Sequence, residues 1–294
     1  MKKYIFIDNW VLGFLREPGF QDALQHYIRV NQYKVLLSSL SLVELYNPGW
    51  QDAQGVDRTQ MASKFYSSVP CVVVNPSDVW DAEIKNHLDP LDDLPTLLDL
   101  REIDDAWREE AVLSFLRTDS LYLQQGKNIR EWADTYRQLK ERWLYDVDEI
   151  IDHACSIGNL ARDSQGWLIH LADKKELFLF SLDLRRAPRQ EVDAIIGHQV
   201  KRRLQGGSMS LSSVRLSSLV FWYLYVDIDP SNKVRTQGSD IGDLYHLSLL
   251  PYCNAFTVDK SMHQLLMRIK EPFKPIQCKV LTKPGLKKAI GLEA

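Results

Sequence analysis

The sequence predicts an α/β fold with a mostly parallel central sheet, split by an all-helical insertion. Three observations carry this. Short apolar runs of strand length alternate with helix patterns from Tyr4 to Val74. The same alternation resumes from Asp240 to Leu281. Between them, Ile129, Trp132, Tyr136, Leu139, Trp143, Val147, Ile150, Ala154 and Ile157 recur three or four residues apart, the stripe of a long helix. Strands that alternate with helices imply parallel strands joined by crossover helices, in three layers.

In chain order, Tyr4 to Ile7 is a continuous apolar run, as expected of a strand buried on both faces. Trp10 to Leu15 and Gln21 to Val30 follow as helices, separated by Pro18-Gly19. Lys34 to Leu37 reads as strand and Leu40 to Tyr46 as helix, which Asn47-Pro48-Gly49 stops. Val69 to Val74 is extended before the helix start at Pro76-Ser77. Arg101 to Leu116, Glu191 to Leu204 and Ser213 to Tyr225 are further helices, with Gly206-Gly207-Ser208 as a joint. Asp240 to Leu250 is helix ended by Pro251. Ala255 to Val258 is strand, Ser261 to Ile269 helix and Gln277 to Leu281 strand. The expected organisation is an α/β domain formed by residues 1–80 and 226–294, interrupted by a helical insertion at 81–225.

Composition sets bounds on function. The 294 residues are 45% hydrophobic and 26% charged, with a formal net charge of −3, so no global basic field points to nucleic acid. The charge is segregated, however. Lys260 to Lys288 holds eight Lys or Arg against one acid, and Arg185 to Arg203 holds six against two, which allows a local phosphate-attracting face. Cys71, Cys155, Cys253 and Cys278 lack the spacing of a zinc site and read as reduced thiols, the pattern of a cytoplasmic protein. No signal peptide is expected, and the apolar stretch Leu219 to Val226 is far short of the ~20 residues that a membrane helix needs. The expected setting is therefore cytoplasmic, with no membrane contact.

The residues that carry chemistry are acids at recurring positions. Asp8 ends the first apolar run, where open α/β sheets place their ligands. Glu44 lies on the helix after the second strand. Asp240 and Asp243, three apart, share one helical face, and Asp259 closes the strand Ala255 to Val258. Each has a capping explanation as well: Asp8 and Asp259 at helix starts, Ser41 and Glu44 in the spacing of a capping box, Asp240 as an N-cap. Acids that converge at one sheet edge repel one another unless protons or cations neutralise them. Mg²⁺ or Mn²⁺ on oxygen ligands is the natural solution, and such ions activate water and stabilise phosphoryl charge.

The order Asp8, Ser39…Glu44, Asp240/Asp243, Thr257-Val258-Asp259 resembles a PIN domain, a family of metal-dependent nucleases that mostly cut RNA. Ile5-Phe6-Ile7-Asp8-Asn9 is similar to the family's opening strand and first acid, and Leu37 to Leu45 to its second element. Leu250-Pro251-Tyr252 resembles the turn of one subgroup, and Thr257-Val258-Asp259 the closing threonine and acid. The likeness covers about half the chain, in two blocks. It departs from the family in the long separation of Glu44 from Asp240, and in Asn254 at a position where related sequences often carry an acid.

What the resemblance implies is a PIN-like metal-dependent endonuclease acting on RNA. Asp8, Glu44, Asp240, Asp243 and Asp259 would be its catalytic and metal-holding residues, with Ser39, Thr257 and Asn9 supporting them. Arg185, Arg186, Arg202, Arg203, His246 and Lys260 are candidates for nucleic-acid contact. A DNA nuclease with the same metal chemistry, or a catalytically weak binding module, are the alternatives. An antitoxin-like protein partner is one biological setting that the resemblance allows, although the chain is about twice the length of typical toxin nucleases.

Overall fold

The computed structural model describes residues 3–45, 58–99, 182–205, 212–226, 240–269 and 278–292, with isolated residues at 137–138, 149 and 179. The helical stripe from Ile129 to Ile157 and the helix expected from Arg101 to Leu116 lie outside the described residues, those isolated positions aside.

Six strands form one sheet: β1 (Tyr4–Phe6), β2 (Lys34–Ser38), β3 (Cys71–Val74), β4 (Leu98–Asp99), β5 (Ala255–Thr257) and β6 (Lys279–Leu281), in the order β4-β3-β2-β1-β5-β6. Five of them run parallel, and β4 joins β3 antiparallel at the edge. Ile5, Val35, Leu36, Val74 and Ala255 are fully buried, as unbroken apolar runs in a doubly covered sheet must be. β4 corrects one expectation. The stretch between residues 81 and 225 is not wholly helical, because Val73 and Val72 of β3 offer an open ladder that Leu98 and Asp99 complete.

The helices are α1 (Asn9–Leu12), α2 (Phe20–Val30), α3 (Ser39–Leu45), α4 (Arg58–Ser67), α5 (Pro76–Lys85), α6 (Arg189–Leu204), α7 (Ser213–Phe221), α8 (Asp240–Leu247), α9 (Lys260–Arg268) and α10 (Lys283–Ala289). α2 buries Phe20, Leu24 and Ile28, four residues apart, so one stripe of the helix faces the core. Gly19 enters it at φ +76°, a left-handed conformation that L side chains rarely adopt. α7 is buried on every side and packs between α5 and α8. It continues into a π-helical stretch over Trp222–Val226. Among the described residues, no helix is long and apolar enough to cross a membrane.

The topology positions the site. From β1 the chain steps to β2 and then β3 in one direction across the sheet. From β5 it steps to β6 in the other. Right-handed crossovers in two directions place the connecting helices on opposite faces of the sheet. The reversal falls between β1 and β5, which pair directly through Ile5–Ala255 and Phe6–Phe256. Ligands in open α/β sheets bind in the crevice at the carboxyl ends of the strands flanking such a reversal.

Candidate functional site

Asp8 and Asp259 follow β1 and β5 at that crevice. The two strand ends are stitched together at the last step. Thr257 Oγ1 accepts from the Asp8 N–H at 2.7 Å and donates to the Phe6 carbonyl at 3.2 Å. Thr257 therefore supports Asp8 through its backbone, and the carboxylate is left for other contacts.

The Asp8 carboxylate caps α1, accepting from the Asn9 N–H at 2.6 Å. Burial pushes its pKa from 3.8 up to about 6. His246 and the Asn9 N–H pull it down, and the carboxylates of Glu44 and Asp259 push it further up. Asp8 thus feels both other acids across the crevice. Glu44 is half-buried on α3, and its Oε2 accepts from Asn9 Nδ2 at 2.8 Å. The same amide donates to the Ser41 carbonyl at 3.2 Å. Asn9 Oδ1 is buried with no protein donor.

Asp259 is exposed and caps α9 through a bond from the Met262 N–H at 2.7 Å, with Ser261 Oγ at 2.9 Å on the same oxygen. Its capping explanation holds, and it sits at the crevice as well. Asp243 is half-buried on α8, one turn before His246. His246 Nε2 lies 3.3 Å from Ser41 Oγ on α3, so the α8 face bearing both residues turns toward α3. The Asp240 side chain lies outside the described residues. Among the described residues, no three His, Cys, Asp or Glu side chains close into a group able to hold a metal ion.

Several expectations need correction. Ser41 and Glu44 do not form a capping box: α3 starts at Ser39, and Ser38 Oγ accepts from the Leu40 and Ser41 N–H groups. Ser38, fully buried, is the residue that the sequence reasoning missed. A serine directly after a strand and two residues before an apolar helical run was its signal. Ser39 Oγ donates to Asn75 Oδ1 at 3.5 Å. His246 is buried against Phe6, with ring centroids 5.2 Å apart, because α8 covers β1. It is a packed residue with no surface for nucleic acid.

The arginine stretch is largely committed elsewhere. The Arg186 guanidinium lies 3.5 Å from the centroid of the Trp80 ring, and Arg202 pairs with Asp89. Asp89 also meets His198 Nε2 at 3.1 Å. Arg185 is half-buried, and the Arg203 side chain lies outside the described residues. Cys71, Cys253 and Cys278 are free thiols, the first two buried.

The chain matches no protein-family model, no curated protein and no solved structure.

Proposed function

We propose that this chain is a PIN-like, metal-dependent nuclease that hydrolyses phosphodiester bonds in RNA. One observation carries the reading. At the crevice where the sheet reverses direction, Asp8 and Asp259 follow the adjacent strands β1 and β5, and Asn9, next to Asp8, donates to the Glu44 carboxylate at 2.8 Å.

The donor set fits a hard, hydrated divalent cation. Mg²⁺ keeps most of its waters and takes one or two carboxylates directly, so Asp8 with one neighbouring acid would suffice to hold it. Asn9 Oδ1, a buried oxygen lacking a donor, adds a neutral ligand or a partner for a bound water. When bound, such an ion lowers the pKa of water and stabilises charge on a phosphoryl group.

The protein's own part is positioning. Thr257 fixes the Asp8 backbone against β5, and Asn9 holds the Glu44 carboxylate toward the crevice while bracing it on α3. The Ser41–His246 contact ties α8, which carries Asp243, to α3, which carries Glu44. Asp8 and Asp259 would hold the ion from adjacent strands, with Glu44 and Asp243 reaching it from the helices.

The test is cleavage of a labelled single-stranded RNA in Mg²⁺ or Mn²⁺, with a DNA oligonucleotide alongside. Asp8→Asn and Asp259→Asn should lose cleavage, and EDTA should reproduce the loss. Mn²⁺ binding by calorimetry should be present in the wild type and absent in Asp8→Asn. Full activity in EDTA, or an Asp8→Asn protein as active as wild type, would exclude the nuclease reading and favour a binding module.

A further inference from the structure

We propose that lysines on the β5–β6 side of the crevice form a rail that grips the backbone of single-stranded RNA beside the acids. The choice of RNA rests on the nuclease reading; the rail itself rests on the following geometry.

Lys260 is the first residue of α9, next to Asp259, and Lys283 is the first of α10, two residues after β6. Because β5 and β6 run parallel, both lysines start at the same carboxyl edge of the sheet as Asp8. The pairing continues to that edge through the Val258 N–H, which donates to the Leu281 carbonyl at 3.0 Å. Three adjacent strands thus present Asp8, then Asp259 with Lys260, then Lys283, within a width of about 10 Å. That width follows a short run of one strand's backbone.

Lys260 and Lys283 are exposed, and among the described residues neither has a carboxylate partner. This separates them from Arg202 and Arg215, which pair with Asp89 and Asp183. Lys283 Nζ lies 4.2 Å from the centroid of Phe14, in the turn after α1, and Lys287 Nζ lies 5.4 Å from the same ring. A cation–π contact holds an ammonium in place without using up its donors. Lys287 also meets Glu17 at 2.6 Å and is partly neutralised. The free charge of the rail is therefore that of Lys260 and Lys283.

An acidic crevice alone repels a polyanion. Cations beside it supply the attraction that brings phosphates in, and single-strand binders combine such a groove with strong salt dependence. The acids would then cut what the lysines hold.

The experiment measures fluorescence anisotropy of a labelled oligouridylate with the full chain carrying Asp8→Asn, in EDTA, so that no cleavage interferes. Adding Lys260→Gln and Lys283→Gln together should weaken binding by about tenfold at low salt, and should flatten the slope of log affinity against log salt by about 1.4. Lys279→Gln, at the opposite end of β6, should leave both unchanged. Equal affinity with and without Lys260 and Lys283 overturns the rail, even if the wild type cleaves RNA. So does an absence of binding, or a preference for duplex over single strand. Lysine-dependent binding by a protein that never cleaves in Mn²⁺ would sink the nuclease reading and leave the rail standing.

Discussion

Two carboxylates in this molecule whose pKa burial raises have opposite surroundings. Glu83 on α5 is fully buried and fully used. Its Oε1 accepts from the Ser213 N–H at 2.7 Å and the Tyr252 hydroxyl at 2.5 Å, and its Oε2 accepts from the Val214 N–H at 2.8 Å. It closes the N-terminus of α7 from a neighbouring helix and ties in the turn Leu250–Tyr252. Asp8 at the crevice is half-buried, holds one backbone donor, and faces His246, which lowers its pKa, and two other acids, which raise it. Burial raises both pKa values, Glu83 to about 7 and Asp8 to about 6, yet only Glu83 is surrounded by donors. A saturated buried carboxylate is a structural staple, whereas a carboxylate with a single backbone donor keeps acceptor capacity for other contacts.

The most severe way to break this contrast is Glu83→Ala. It strands two backbone N–H groups and a tyrosine hydroxyl in the core, and should cost about 3–5 kcal/mol in denaturant melts. Mn²⁺ affinity of the folded protein should not move. A loss under about 1 kcal/mol would mean that water replaces the carboxylate, and that Glu83 is no staple.

Asp8→Asn should act in the opposite direction. In the folded metal-free protein the Asp8 pKa lies above its unfolded value of 3.8, so its favourable contribution is complete below pH 3.8 and is lost as pH rises through about 6. Its ionisation at pH 7 thus costs stability, at most about 3 kcal/mol and less with solvent screening. Asp8→Asn, which retains a good helix cap, should be the more stable protein at pH 7 without metal and equal to wild type near pH 3.5. Saturating Mn²⁺ should stabilise the wild type alone. A wild type and variant with parallel stability–pH curves would show that Asp8 carries no such strain.

Thr257→Val keeps the shape of the strand but removes the acceptor for the Asp8 N–H, and should cost about 1–2 kcal/mol. Faster exchange of the Asp8 amide proton would report the same opening, and unchanged protection would contradict it. The smallest effect should come from Ser38→Ala, about 1 kcal/mol by thermal melt, as α3 loses its cap. If Ser41→Ala proves costlier than Ser38→Ala, the cap has been assigned to the wrong serine.

Much of the sheet was legible in the chain. Tyr4 to Ile7, Val35 to Leu37 and Ala255 to Val258 are apolar runs too short for helices, and each ends in or leads to a polar residue at the carboxyl edge. The helix read from Gln21 to Val30 was legible for the same reason: its period is local, and the structure extends it by one residue to Phe20. The antiparallel edge strand β4 was not. Leu98–Asp99 is two residues long and has no pattern of its own, and it becomes a strand only because β3 has an open edge.

By itself the sequence determined where acids stand along the chain, at the ends of β1 and β5 and on the helices α3 and α8, because strand and helix periods are set by neighbouring residues. Only the tertiary structure decided how each polar group is used. Thr257 meets Asp8 across 249 residues and Ser41 meets His246 across 205, and no local pattern encodes such a closure. The same packing paired Arg202 with Asp89, and left Lys260 and Lys283 beside the crevice with no carboxylate partner among the described residues. Hydrogen-bonding capacity is written in each residue's chemistry, but its partner is chosen by distance, and distance comes from the fold.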